Sequence, residues 1–261
     1  MTLRSRSNRR LRSPRRETRA PTDSTYLRDL FSASARYYEW VNMVTSLGQV
    51  VLWRREVIGA ARLRPTDRVL DAFCGPGALA EQAFPLLGGE GRLVLADLSP
   101  VMLHHAKLRL ARGGGGRTGS GPSVEYVAGD LLRDDLGLRD FDVVILGWGL
   151  RYVEDVHAAL TRMHAFLRPE GRLVILEFTR PPSISWATPA HLYFRYILPR
   201  AGSWLARDRE LHEYLQVSAA EFLSATELMC AVEQAGFAVI YHRTHIDGLV
   251  TILTAVATRA R

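Results

Sequence analysis

Short apolar runs alternate with amphipathic segments along the chain from residue 67 onward. The apolar runs lie at residues 68–73, 92–97, 124–128, 143–147 and 172–178. Between them, the spacing of apolar positions predicts helices that end near residue 86, span 100–112 and span 154–167. Alternation of this kind is typical of a parallel sheet that carries helices on both faces. The pattern therefore predicts an α/β domain in which the carboxyl ends of the strands meet at one edge.

The segments on either side of this alternation complete the predicted fold. Residues 25–60 are predicted to form two or three helices, broken around residues 46–48. Residues 183–217 are rich in aromatic residues and are predicted to form a helical insert, which we expect to lie over the carboxyl ends of the strands. Two β runs, 237–245 and 249–256, are separated by only three residues and must be antiparallel neighbours. A seven-stranded, mostly parallel sheet with an antiparallel last strand, N-terminal helices and a helical lid insert is the Rossmann-like fold of class I methyltransferases.

Charge is distributed unevenly along the chain. The 261 residues have a net charge of +7, and residues 1–20 hold eight arginines against one acid, Glu17. This short segment therefore carries the whole net charge, and the rest of the chain sums to zero. A neutral body lacks the positive groove that nucleic-acid binding requires. Methyltransferases of exocyclic base amines also carry [DN]-P-P-[YFW] after the fourth strand, where this chain has Gly147-Trp148-Gly149-Leu150, so we expect no nucleic-acid partner.

The basic segment is assigned to residues 1–22 and the methyltransferase domain to residues 23–261. Three interpretations of the segment stay open: a disordered tail or an over-long translation start, an arm that touches a membrane or another polyanion, and a targeting segment. The sequence has no run of 18 apolar residues and no secretory signal, so we expect a cytoplasmic protein. The two cysteines and the pair His104-His105 lack zinc-binding spacing, so no metal is expected.

Glycines and carboxylates follow the first three predicted strands. Gly75 and Gly77 follow the first strand, where they let the backbone pass close under a ligand before a helix begins. Asp71 lies at the start of that turn. Asp97 ends the second strand, where its carboxylate can accept both hydroxyls of a ribose, and Asp130 follows the third, where it can meet an adenine amino group. The predicted cofactor-binding set also includes neighbours at these strand ends, Leu98, Leu131 and Gly147.

Two cofactors compete for this predicted site. Gly75-x-Gly77 with Ala80 is close to the dinucleotide-binding pattern G-x-G-x-x-A, which is weak on its own. Asp71, however, would repel a pyrophosphate and attract a ligand that carries an ammonium and a sulfonium. The closing hairpin is also foreign to the dinucleotide fold. The residues therefore favour S-adenosylmethionine (SAM) over NAD, with a structural glycine turn and a helix cap at Asp97 as the simplest alternatives.

Three further motifs stand outside the predicted cofactor site. Residues 38–54 read Y-E-x-x-N-x-x-x-S-x-G-x-x-x-x-W-R, residues 148–152 read W-G-L-R-Y, and residues 176–181 read L-E-F-T-R-P. These segments resemble three patterns of the ubiquinone/menaquinone biosynthesis C-methyltransferases: Y-D-x-x-N-x-x-x-S-x-G-x-x-x-x-W-[KR], F-G-[LI]-R-N and L-E-F-[ST]-[KR]-P. The resemblance covers roughly residues 30–257. It implies SAM as the cofactor and methyl transfer to a ring carbon of a reduced prenylated quinone, with demethylmenaquinol as the favoured acceptor.

The resemblance also implies roles for side chains near the acceptor. Arg151 cannot act as a base, because a guanidinium stays protonated, and is assigned to stabilise the acceptor's phenolate or to orient a water molecule. Tyr38 and Asn42 are assigned to the lid over the cofactor. Candidates for hydrogen bonds to the hydroquinone or for proton relay are Tyr152, His191, His212 and Tyr214. For each of these side chains, simple packing or solvation is the alternative.

Two departures from the family are expected on the substrate side, where Tyr152 replaces an asparagine and Leu253 a histidine. They leave open a methyltransferase of a specialised metabolite or of a phospholipid amine. A family member that binds SAM without transferring its methyl group is a third alternative. The favoured acceptor is a small lipophilic molecule that lies in the bilayer, so we expect peripheral contact with the inner face of the membrane. A homodimer is compatible with the sequence.

Overall fold

The computed structural model describes residues 22–113, 121–180 and 209–258. Its first three helices are α1 (Ser24–Ser34), α2 (Tyr38–Thr45) and α3 (Gln49–Ala61). The α2 and α3 helices separate at Gly48, whose φ of +80° is a conformation that favours glycine. The predicted helical segment with a break around residues 46–48 is therefore confirmed.

The remaining elements follow the predicted order. The strands are β1 (Arg68–Ala72), β2 (Arg92–Asp97), β3 (Ser123–Ala128), β4 (Phe141–Gly147), β5 (Leu167–Phe178), β6 (Phe237–His245) and β7 (Val250–Ala257). The helices that accompany them are α4 (Ala78–Ala83), α5 (Pro100–Arg112), α6 (Val156–Phe166), α7 (Arg209–Glu221) and α8 (Ala225–Gln234). Short 3₁₀ turns lie at Phe84–Leu86 and Leu150–Tyr152.

The described strands form one sheet of seven, in the order β3-β2-β1-β4-β5-β7-β6. Strands β1 to β5 are mutually parallel, and β7 is antiparallel to both β5 and β6. This arrangement confirms the predicted class I methyltransferase fold. Because the chain order reverses direction across the sheet between β1 and β4, a crevice opens there at the carboxyl ends of the strands.

Apolar layers cover both faces of the sheet. Helices α3, α4 and α5 pack on one face, and α6 and α8 pack on the other. Leu253 is fully buried in the layer under α6 and α8 and lies opposite Ile175 in the interior of β7. The expectation that Leu253 lies on the substrate side is therefore wrong, since this position faces the core and not the strand ends.

The two largest differences from the predicted boundaries are at the end of α4 and the start of β5, and part of the predicted lid is outside the described residues. The helix expected to reach residue 86 ends at Ala83 and tightens into a 3₁₀ turn, since Pro85 has no N–H to continue the α-helical pattern. Strand β5 begins at Leu167, five residues early, where it pairs with Phe141 before a register shift. Of the insert predicted at 183–217, residues 183–208 lie outside the described ranges, and the rest belongs to α7. No helix in the described ranges is long and apolar enough to span a bilayer.

Candidate active site

A crevice of about 340 Å³ lies at the carboxyl ends of β1, β2 and β4, with the loop that follows β3 at one side. Its volume falls within the range of ligand-binding pockets. Helices α1 and α2 contribute side chains to its walls, as do the turns that follow β1, β2 and β4. The crevice therefore lies at the switch point that the sheet topology predicts.

The turn after β1 forms the floor of the crevice. Phe73, Gly75 and Gly77 all have positive φ values, of +54°, +52° and +75°. A Cβ atom at Gly77 would lie 2.8 Å from Ala106 Cβ and 3.1 Å from Ala106 Cα, whereas a Cβ at Gly75 would meet nothing within 4 Å. Gly77 is therefore required for close packing of the turn against α5, and Gly75 for its backbone conformation alone.

Replacing Gly77 with alanine is expected to lower the free energy of unfolding by about 2–3 kcal/mol, because backbone strain adds to a contact with the α5 backbone. The matched control is Gly137→Ala, at a φ of +65° with no atom within 4 Å of the added Cβ. It should cost only about 1 kcal/mol. Urea unfolding of both variants measures the difference, and equal losses would show that packing against Ala106 contributes nothing.

Two carboxylates stand at either side of this turn, Asp71 fully buried and Asp97 partly buried. Asp71 Oδ2 accepts a hydrogen bond from the Ala80 N–H at 3.0 Å. Asp97 accepts from the N–H groups of Gly75 and Ser99, both at 2.8 Å. Burial raises the pKa of Asp71 to about 7 and that of Asp97 to about 6, and repulsion from Asp97 contributes to the shift of Asp71. A bound cation would offset this desolvation, so the donor set fits a positively charged ligand.

Asp130 marks the opposite end of the crevice, where α1 crosses it. Asp130 accepts from the Leu132 N–H at 3.0 Å and from the hydroxyl of Ser24 on α1 at 2.7 Å. Farther along α1, the hydroxyls of Ser32 and Ser99 are 2.7 Å apart. These two contacts hold α1 across the crevice as a roof.

A buried ion pair lies behind the wall formed by the Leu150–Tyr152 turn. Arg151 Nη1 donates to Glu177 Oε1 at 2.7 Å, and both side chains are almost fully buried, at 3% and 1% exposure. The other terminal nitrogen, Nη2, donates to the Tyr152 hydroxyl. Burial raises the pKa of Glu177, and the charge of Arg151 opposes that shift. Since Tyr152 lines the crevice and Arg151 does not, the guanidinium reaches the crevice through the tyrosine.

Aromatic rings surround the Tyr152 side chain that Arg151 holds. Tyr152 stacks on Tyr214 of α7, with ring centroids 5.6 Å apart, and Phe31 of α1 lies 5.0 Å from Tyr152. Phe31 also packs edge-on against Tyr38 of α2 at 6.0 Å. Burial raises the pKa values of Tyr38 and Tyr152, and the nearby charge of Arg151 opposes both shifts. The structure thus brings together tyrosines from three parts of the chain around one cation.

Most residues of the predicted site line the crevice. Those that do are Tyr38, Asp71, Gly75, Asp97, Leu98, Asp130, Leu131, Gly147 and Tyr152. Gly77, Arg151 and Tyr214 lie directly behind this lining. Asn42 does not line it and lies beside Tyr38, whose pKa it lowers. His212 belongs to α7, but its side chain is not among the described ones, and His191 lies outside the described residues.

Several site residues were not predicted from the sequence. Ser24 and Phe31 on the roof helix are among them, together with Glu39, Arg54 and Met102 in the walls. Glu177 stood within a motif but received no role. A signal for Glu177 exists, because Gly147 and Leu176 are paired neighbours at the ends of parallel strands. Glu177, one position after Leu176, and Arg151, four positions after Gly147, are therefore expected to lie at the same edge of the sheet.

Comparisons with known proteins agree with the observed fold and identify a protein family that the chain matches. The model of the ubiE/COQ5 methyltransferase family matches residues 19–257. The chain is 32% identical over 234 residues to the ubiquinone/menaquinone biosynthesis C-methyltransferase UbiE of Coxiella burnetii, covering 89% of this chain and 92% of that one. It is 31% identical to the UbiE protein of Shewanella frigidimarina, covering 86% and 87%.

Solved structures share the fold at low sequence identity. A TehB-like SAM-dependent methyltransferase from Corynebacterium glutamicum superimposes with a TM-score of 0.54 at 17% identity, covering 87% of this chain and 99% of that one. A putative methyltransferase of Haloferax volcanii, in complex with its activator Trm112, superimposes with a TM-score of 0.61 at 16% identity, covering 88% and 98%.

Proposed function

The chain belongs to the ubiE/COQ5 methyltransferase family and is a SAM-dependent methyltransferase, and from this premise we propose that it methylates a ring carbon of a reduced prenylated quinone, converting demethylmenaquinol to menaquinol. Its relatives from Coxiella burnetii and Shewanella frigidimarina are named as C-methyltransferases of ubiquinone and menaquinone biosynthesis. The observation that supports the acceptor is the Tyr152 hydroxyl, which is held by Arg151 in the crevice wall and surrounded by aromatic rings.

The crevice offers a partner for each end of the cofactor. Asp130 suits the adenine amino group, Asp97 the ribose hydroxyls and Asp71 the ammonium group of the methionine end. The cationic side chains that line the described crevice are Arg28, Arg54 and Arg133. Of these, Arg54 is the buried one. Its terminal nitrogens donate to Glu39 and its charge lowers the pKa of Asp71, and we assign it to the cofactor's carboxylate. When bound, SAM supplies a methyl group that is already activated by the adjacent sulfonium.

At the acceptor end of the crevice, Arg151 and Tyr152 form a hydrogen-bonded pair that can act on an oxygen of the acceptor. Because the Tyr152 oxygen accepts a hydrogen bond from Arg151, its own proton is free to be donated to an oxygen of the acceptor. The raised pKa keeps Tyr152 protonated at neutral pH, so it acts as a donor. Hydrogen bonding and the nearby guanidinium stabilise a phenolate, whose ring carbons are strongly nucleophilic. The hydroxyl proton leaves to solvent when the phenolate forms, and after methyl transfer the ring proton at the methylated carbon moves to that oxygen, so that one proton is released overall. The roof helix α1 and the ring of Tyr214 limit the access of water.

Methyl-labelled SAM distinguishes this function from the alternatives. The protein is incubated with demethylmenaquinone, once oxidised and once chemically reduced, and the quinone is analysed by mass spectrometry. We expect label in the reduced acceptor only, because a quinone ring carbon is not nucleophilic. S-adenosylhomocysteine in place of SAM is the matched control. A protein that binds SAM but labels neither form would contradict the assignment and favour a different acceptor or a non-methylating role.

A further inference from the structure

The outward side of α2 carries large apolar side chains that face solvent. Tyr37, Trp40 and Met43 recur at every third residue, and Leu47 and Leu52 extend the same segment into the turn and α3. Their exposure lies between 40% and 70%. We call these five residues the α2 outer face. Contiguous exposed apolar side chains of this size mark an interaction surface and not ordinary surface scatter.

The opposite side of α2 forms part of the active site. Tyr38 and Val41 are buried, and Tyr38 and Glu39 line the crevice. Apolar residues thus lie on both sides of α2, and the described residues of the chain cover only one of them. Whatever covers the other side contacts the same helix that forms a wall of the crevice.

The exposed charges within the segment that carries the α2 outer face are of one sign. Between residues 35 and 55, the exposed charged side chains are Arg36 and Arg55, and no acid is exposed. Glu39, the acid in this stretch, is bound to Arg54 by two hydrogen bonds of 2.8 and 2.9 Å. The sequence that precedes α1 adds a net charge of +7 over residues 1–20. Apolar side chains framed by arginine are complementary to an anionic lipid surface.

We propose that the α2 outer face docks onto an anionic lipid bilayer. Trp40 and Tyr37 are the residue types that concentrate where the bilayer meets water, and the arginines would contact headgroups. A symmetric contact with a second copy fits less well, because it would bring like charges together over only five apolar side chains. The inference rests on the proposed function to this extent: an isoprenoid acceptor in the bilayer would reach the crevice beside the docked helix.

Binding to vesicles tests the proposal without any methyl transfer. The full chain is sedimented with vesicles of phosphatidylcholine alone and with vesicles in which part of it is replaced by phosphatidylglycerol. We expect binding to the anionic vesicles and at least about a tenfold lower partition coefficient for Trp40→Ser/Leu47→Ser. The matched control is Leu86→Ser/Ile240→Ser, which removes similarly exposed apolar side chains elsewhere and should bind like the wild type. Thermal unfolding verifies that both variants fold.

Three results would overturn the proposal. Equal losses in both double variants would mean that exposed apolar residues act without regard to position. Binding that vanishes in about 1 M salt but is unchanged in Trp40→Ser/Leu47→Ser would be purely electrostatic. A dimer in light scattering that becomes a monomer in Trp40→Ser/Leu47→Ser would make the face a contact between copies of this chain.

An activity assay separates this proposal from the proposed function. The Trp40→Ser/Leu47→Ser variant should methylate a short-chain, water-soluble demethylated quinol at the wild-type rate but lose activity on a long-chain acceptor embedded in vesicles. If vesicle binding follows the α2 outer face and no quinol is methylated, the docking surface stands and the acceptor assignment fails. If quinols are methylated equally in both settings by both proteins, the docking surface fails and the acceptor assignment stands.

Discussion

Replacing Glu177 with leucine is expected to lower the free energy of unfolding by about 3–5 kcal/mol, the cost of leaving a buried guanidinium without its counter-ion. The Arg151 and Glu177 side chains are 3% and 1% exposed, and Glu177 also accepts hydrogen bonds from the backbone N–H groups of Arg151 and Phe178. The matched control is Glu125→Leu, which breaks the half-exposed pair between Arg92 and Glu125 and should cost about 1 kcal/mol or less. Urea unfolding measures both.

Replacing both partners separates the structural role of the pair from its role in the reaction. In Arg151→Met/Glu177→Leu no charge is left buried, so most of the lost stability should return. Methyl transfer to the reduced quinone should nevertheless fall by at least about 100-fold, because Tyr152 loses the donor that holds its hydroxyl. Tyr152→Phe should keep the stability and show a similar loss of transfer. A stable double variant with wild-type transfer would show that the pair serves the fold alone.

Local patterns in the sequence predicted the framework well. The bounds of β2 and α5 coincide with the predicted ones, because a polar residue marks the boundary of each element. Asp97 ends β2, and Ser99 caps the first turn of α5. Ser99, for example, accepts from the Met102 N–H and so begins α5 at Pro100. The sequence also predicted the glycine turn after β1 and the carboxylates at the ends of β1 and β2, since strand ends in a parallel sheet converge on one edge.

Long-range contacts explain what the sequence could not predict. Ser24 meets Asp130 across 106 positions of the chain, and no periodicity in α1 indicates that this helix roofs the crevice. Leu253 was expected beside the acceptor because its position in the family motif was known but its register in the sheet was not. Only the pairing of β7 with β5 places it in the core opposite Ile175.

The burial of Arg151 is the most informative difference between expectation and structure. A cation just beyond a strand end was expected to face the acceptor directly. The guanidinium instead pairs with Glu177 on the neighbouring strand. This ion pair is strong because both groups are shielded from water. Tyr152, the residue that departs from the family pattern, is thereby left as the group in the crevice wall. The departure therefore falls on a residue that lines the crevice.

Affinity for SAM is expected to decrease about tenfold between pH 8 and pH 6, with Asp71 as the main titrating group. Burial raises the pKa of Asp71 to about 7. Above this pH the side chain is a carboxylate that attracts the ammonium and sulfonium of the cofactor. Below it the protonated side chain loses this attraction, so affinity is highest above about pH 7 and is lost as the pH falls. Isothermal titration calorimetry with SAM across this pH range measures the change.

Asp71→Asn identifies the group responsible. The variant should bind SAM about 100-fold more weakly at pH 8, because a buried cation would lose its partner, and its affinity should be nearly independent of pH down to the range in which Asp97, with a pKa of about 6, begins to titrate. Arg54→Gln is the matched control: it should weaken binding through the cofactor's carboxylate and keep a pH dependence, moved to higher pH because the charge of Arg54 lowers the pKa of Asp71. If Asp71→Asn retains the wild-type slope, the proton belongs to another group, and Asp71 is a structural acceptor for the Ala80 N–H alone.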